Sequence, residues 1–209
     1  FKRIETNDDE IWMVMEATGF YFWIHDCIVA FGNDVWAVHP AKVKPMMMRA
    51  KNDRNDANML TNILRSNSLN GIYVQSKEVR EMGELTRHRD SLVWKKGGFR
   101  REVAHLLQNN IKAPKECCSN FTKKHVAWMC SLHDFVLGEK LDVLEMMMVK
   151  IGNVETKIEG LVGEDDDVKL TLMVPGIGLV TASVIEAEMG DLASFSTSED
   201  LAAYVGLTP

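Results

Sequence analysis

The sequence has no apolar run long enough to cross a membrane as a helix, and its start lacks a signal-peptide pattern. Cysteine is scarce: Cys27, Cys117, Cys118 and Cys130 lie scattered among apolar residues, which suits a reducing cytoplasm and argues against a disulfide scaffold. No Gly-rich nucleotide loop, Walker motif or Ser/His/Asp triad is present, so the simplest nucleotide-binding and nucleophilic chemistries have no support. No internal repeat is found. Positive charge is also short, with 24 Lys and Arg against 30 Asp and Glu, a net charge of −6. That balance looks wrong for a nucleic-acid binder. The chain opens on Phe1 rather than Met, so it is expected to begin inside a longer reading frame.

What remains is ordinary in bulk and uneven in detail. The 209 residues are 46% hydrophobic and 26% charged, with a mean hydropathy of −0.12, enough for one or two domains with a sizeable core. Phe1 to Gln75 holds 8 basic and 9 acidic residues, a charge of −1. Ser76 to His125 holds 12 and 6, a charge of +6, and Val126 to Pro209 holds 4 and 15, a charge of −11. A neutral front, a basic middle and an acidic rear point to regions with different partners.

The front alternates strand and helix signals. Ile11 to Met15 is a short apolar run of the kind a buried strand leaves, and Thr18-Gly19 supplies a turn. An amphipathic run from Phe20 to Phe31 ends at Gly32-Asn33, and Val35 to Val38 reads as the next strand. Such a unit predicts a parallel pair with a crossover helix. Asp53 to Ser66 has helical periodicity, with Ala57, Leu60, Ile63 and Leu64 on one face. Lys77 to about Ile111 predicts a long charged helix, and Gly97-Gly98, costing roughly 2 kcal/mol together relative to alanines, predicts a kink or break in it. Pro114 starts a linker. Further helices are expected over Lys123–Leu137 and Glu139–Val162, the latter with apolar positions that include Leu141, Leu144, Met148, Ile151, Ile158 and Leu161, as an antiparallel or coiled-coil arm would have. An acidic hinge, Gly163 to Asp167, leads to a compact apolar end from Val168 to Pro209.

Three acids stand out by placement. Glu16 falls where the first strand ends, the edge at which open α/β sheets place their sites. Asp53 and Asp56 lie three apart at a helix start, with Asp53 a candidate N-cap; acids there also serve the helix dipole alone. Together the three make a candidate oxygen-only site for Mg²⁺ or Mn²⁺. Clusters of this kind cut phosphodiesters by holding two metals about 4 Å apart, one activating the attacking oxygen and one stabilising the leaving oxygen. A second signal is Val174-Pro175-Gly176-Ile177-Gly178, set between helical runs Leu170–Val174 and Val180–Met189. It has the form of a helix-hairpin-helix unit, in which Gly176 and Gly178 admit a phosphate to the N–H groups opening the second helix. A tight turn used only for packing would look similar. Lys51, Lys95, Lys96, Arg100 and Arg101 are the candidate phosphate-binding side chains, unless the basic stretch is merely a solvated helix face. Cys130-x-x-His133, near Cys117, Cys118 and His125, has a permitted zinc spacing, but no regular C-x-x-C pair anchors it.

Met15-Glu16-Ala17-Thr18-Gly19, then Val38-His39-Pro40 with Val43-Lys44, then Lys51-Asn52-Asp53-Arg54-Asn55-Asp56-Ala57, resemble in order the motifs of the insertion-sequence one-ten family of DEDD transposases. The ending, from Val174-Pro-Gly-Ile-Gly through Glu188-Met-Gly-Asp191 to Leu201-Ala-Ala-Tyr-Val-Gly-Leu-Thr-Pro209, resembles that family's second conserved domain. The resemblance implies an α/β plus mainly helical chain. It would comprise a partial RNase H-like (RuvC-like) domain over 1–75, a helical coiled-coil arm over 76–165 and the start of a small α-helical C-terminal domain over 168–209. It implies a transposase acting by metal-dependent strand cleavage and exchange of an insertion sequence, with Glu16, Asp53 and Asp56 as catalytic metal ligands. Implied partners are DNA, a structured RNA from the element and further protomers, in the cytoplasm and with no membrane. The family's first Asp lies upstream of the EATG-like segment and its serine downstream of the GLTP-like segment, so both are expected outside this chain. His39 stands for the usual Asn and Asn52 for the usual Thr. The runner-up is a non-catalytic DNA- or RNA-binding remnant; a DEDD 3′–5′ exonuclease shares the acids but leaves the PGIG segment unexplained.

Overall fold

The computed structural model describes residues 11–46, 52–66, 68, 71–110, 121–162, 166–190, 195 and 197–207. The chain is mostly helical with one small sheet, and it divides into two compact units, Phe1–Gln75 and Ser76–Pro209.

In the first unit, strands β1 (Trp12–Glu16) and β2 (Asp34–Val38) pair in parallel, Val14 opposite Trp36 and Glu16 opposite Val38. Helix α1 (Tyr21–Ala30) makes the crossover that a parallel pair requires. Every residue of α1 except His25 and Asp26 is apolar or aromatic, yet none of them is buried, and Trp23 is 64% exposed. A short helix, α2 (Pro40–Val43), and then α3 (Asp53–Ser66) follow. Val38, Val43 and Ile63 form the small core, with Val14, Met59 and Leu60 packed against it. Among the described residues the sheet has two strands.

The second unit is built on two long helices, α4 (Lys77–Asn110) and α6 (Phe135–Val162). Their cross-links fix the direction: Glu81 meets Lys157, Arg89 meets Glu155, and Glu102 meets Lys140, so the pair is antiparallel. On α4 the inward positions are Met82, Thr86, Arg89, Val93, Lys96, Arg100, Val103 and Leu107, alternating three and four residues as a coiled-coil seam does. One core gathers at one end of the pair, where Met82, Ile158 and Val162 meet Val168, Ala182 and Ala187 from α7 (Asp166–Leu172) and α8 (Leu179–Met189). The other gathers Val103, Leu107, Leu137, Leu141 and Leu144 around Met129 of α5 (Lys123–Ser131). Helix α9 (Ser198–Tyr204) returns to α8 through Tyr204, whose hydroxyl donates to the Glu188 carbonyl.

Four expectations need correction. Helix α4 runs through Gly97-Gly98 without a break, because burial against α6, α7 and α8 before the pair and against α5 and α6 after it outweighs roughly 2 kcal/mol of glycine cost. Helix α5 stops at Ser131 rather than Leu137; His133 turns the chain at a φ of +52° and Asp134 caps α6 by accepting from the Leu137 N–H. On α6, Met147 and Val162 are buried while Met148 and Leu161 are exposed, a shift of one residue at both places. Asn52, not Asp53, caps α3: its side-chain oxygen accepts from the Arg54 N–H at 3.0 Å.

Candidate metal and nucleic-acid surfaces

Side chains alternate along a strand, so Glu16 shares a face of β1 with Val14, and Val14 packs on the α3 core. On α3, Asp53 and Asp56 continue the stripe of Leu60 and Ile63 at helical spacing. The three carboxylates therefore belong to the same side of the sheet, and β1 packs directly on α3. Because Asn52 does the capping, the Asp53 carboxylate is not spent on it. His39 acts in the same way at the start of α2: its Nδ1 accepts from the Ala41 N–H at 3.1 Å. Both departures from the family motifs are thus working N-caps.

Carboxylate oxygens with no other commitment are the donors that Mg²⁺ or Mn²⁺ takes, so the donor set fits such an ion in kind. It is not gathered: among the described residues no three His, Cys, Asp or Glu stand close enough to hold a metal. Lys51 lies outside the described residues, as do Cys117 and Cys118. His125 is buried, stacked on Trp128, and its Nδ1 accepts from the Phe121 N–H.

The basic stretch of α4 divides between two faces. Lys95 and Arg101 are exposed on the outer side. Lys96 and Arg100 occupy seam positions and are half-buried, with the Arg100 guanidinium 4.5 Å from the centre of the Phe121 ring. Arg89, also on the seam, donates to Glu155 from Nε and Nη2. Burial alone would disfavour its charge, but hydrogen bonds to Glu155 and then Asp90 outweigh that and hold its pKa above the usual value. Arg87 is bonded to Glu188 at 2.7 Å. The sequence's basic middle and acidic rear thus partly neutralise each other across the helix pair. This polar seam escapes composition, but a heptad reading of α4 would have found it.

At the Pro175–Gly178 turn, Gly176 adopts a φ of +93°, a conformation that suits glycine alone. Gly178 is extended at the N-cap of α8 and has no side chain to offer the first turn. A hollow of about 540 Å³ lies beside it, lined by Gly178 to Thr181 and by Gly152, Glu155, Thr156 and Glu159 of α6. The helix start favours an anion there, while Glu155 and Glu159 oppose one.

Comparisons with known proteins converge on one family. Residues 1–110 match the profile of a DEDD-type IS110 transposase domain, described as "Transposase", and residues 169–209 match "Transposase IS116/IS110/IS902 family". The transposase for insertion sequence element IS1111A of Coxiella burnetii is 25% identical over 94% of this chain and 56% of its own length. A probable family 20 transposase of Pseudomonas aeruginosa is 27% identical over 94% of this chain and 61% of its own. The transposase for insertion sequence element IS1328 of Yersinia enterocolitica is 26% identical over 87% and 56%. The chain spans little more than half the length of these curated relatives.

Proposed function

The chain belongs to the IS110 family of transposases, and from that premise we propose that it serves DNA transposition: metal-dependent strand cleavage and exchange that moves an insertion sequence. The observation that carries this reading is the order of the two family matches, over 1–110 and 169–209, on one chain. The first unit is read as a portion of an RNase H-like (RuvC-like) domain, the second as a helical arm that leads into a C-terminal transposase domain with a helix-hairpin-helix-like turn. The parallel β1–α1–β2 unit supports the first assignment, and the antiparallel α4–α6 pair supports the second. The proposed site of action is the cytoplasm; among the described residues no helix is long and apolar enough to cross a membrane.

Glu16, Asp53 and Asp56 are the proposed metal ligands and catalytic acids, with Mg²⁺ or Mn²⁺ as the ion. A bound ion would supply Lewis acidity to a phosphodiester oxygen. The chain's own share is to present the carboxylates from a strand end and a helix start, while Asn52 keeps the Asp53 side chain out of the cap. Lys51, Lys95, Lys96, Arg100 and Arg101 are proposed to meet phosphates, with Lys95 and Arg101 the best presented of the described four, and the turn at Gly176 and Gly178 is proposed to add a backbone contact. DNA, a structured element-encoded RNA and further protomers are the proposed partners.

The test is strand cleavage by the protein that carries this chain, with Glu16→Gln, Asp53→Asn and Asp56→Asn compared with the unaltered sequence. Each variant is expected to lose cleavage while still binding nucleic acid. Cleavage that survives all three sinks the metal-site assignment. The scattered carboxylates favour one alternative, a non-catalytic DNA- or RNA-binding remnant. It predicts nucleic-acid binding with no cleavage in any form.

A further inference from the structure

The outer flank of α4 carries an aromatic group that neither core uses. Arg80, Arg87, Trp94 and Arg101 recur every seven residues, so they line one side of the helix away from the seam. The Trp94 indole is 74% exposed. Beside this column run Gly83, Asp90, Gly97 and Ala104, three of them with little or no side chain and the fourth paired with Arg89. The glycines are used: a Cβ at Gly83 would meet the Arg87 guanidinium at 2.8 Å, and one at Gly97 would meet Nη1 of Arg101 at 3.6 Å. Each arginine therefore folds back over the glycine four residues before it. The Arg101 guanidinium comes to lie near the level of Gly97, about 4.5 Å along the axis from Trp94. Lys95, the next residue along the helix, is also exposed, and from Arg89 to Glu102 there are five basic residues against two acidic.

An apolar ring kept in water among cations suits a ligand that offers both a flat π-face and negative charge. A nucleobase with its phosphate is such a ligand, and the base must be unpaired for its face to be reached. We propose that Trp94 is a stacking platform for an unpaired base, with Arg101 and Lys95 holding the adjoining phosphates. The arm then prefers single-stranded or looped nucleic acid to continuous duplex. This rests on the nucleic-acid reading above and adds to it the strandedness of the ligand and the residue that selects it.

The experiment measures binding of the whole chain to an oligothymidylate and to a duplex of equal length by fluorescence anisotropy, at several salt concentrations. The unaltered protein is expected to bind the single strand more tightly. Trp94→Ala should weaken single-strand binding by about five- to a hundredfold, leave duplex binding within about twofold, and keep the salt slope. Trp94→Phe should retain most of the affinity. Arg101→Ala should instead lower the slope on the single strand by about 0.7. The proposal is overturned if Trp94→Ala binds the single strand like the unaltered protein, or weakens both ligands alike. It is also overturned if that variant changes only the oligomeric state in size-exclusion chromatography, which would assign Trp94 to a protein interface. If the unaltered chain binds neither nucleic acid at low salt, the nucleic-acid reading itself fails, and the stacking role falls with it.

Discussion

At Asn52 and His39 a single acceptor atom decides where a helix begins. Asn52 takes the Arg54 N–H and His39 takes the Ala41 N–H, and each leaves the neighbouring residues free for other work. Asn52→Ala is expected to cost about 1 kcal/mol in chemical denaturation, and Asn52→Thr only a fraction of that, because threonine offers an equivalent acceptor. The sequence made the acids at 53 and 56 legible through their position, but it left open which residue did the capping. Asn and Asp are near-equal caps, and only the hydrogen bond separates them. Glu159 sets a second residue-scale test. It lines the hollow beside the α8 start, where its charge opposes any phosphate near Gly178. If that turn contacts a phosphate, Glu159→Gln should tighten nucleic-acid binding several-fold at low salt; unchanged binding in a salt titration would remove the turn from the interface.

Among the elements, α3 was legible in its bounds, Asp53–Ser66, and in the inward Leu60 and Ile63, although Ala57, expected on that face, is exposed. The register of α6 was not legible. Met146, Met147 and Met148 are identical, so periodicity cannot choose the inward one, and packing selects Met147. Gly97-Gly98 misled in a different way, because local propensity competes with a helix already held at both ends by two cores. A Cβ added at Gly98 would meet nothing within 4 Å. Gly98→Ala is therefore expected to stabilise the arm by roughly 1 kcal/mol, read as a raised midpoint in thermal or urea unfolding. A lowered midpoint would mean that the glycine pair serves a bend in the helix.

For the whole molecule, the net charge of −6 is a poor guide to what a phosphate backbone would meet. Ion pairs join Arg87 to Glu188 and Arg89 to Glu155, so two acids of the rear are answered by the basic middle itself. The same pairs consume cations that a count of the basic middle would credit to binding. Lys95 and Arg101 remain well presented, and Lys96 is half-buried on the seam. With about two effective phosphate contacts, affinity for duplex should fall about 12-fold between 50 and 200 mM salt, and about 7-fold for single strands. A steeper dependence would require cations beyond these two. Lys95→Glu with Arg101→Glu should lower affinity and flatten the slope by more than Lys96→Glu with Arg100→Glu, since the second pair points into the seam and its Arg100 is held on Phe121. Folding must be checked in the second pair by circular dichroism, because reversing a seam charge disturbs the helix contact as well. If both pairs flatten the slope equally with folding intact, phosphates reach the seam itself, and the two helices must separate to admit them.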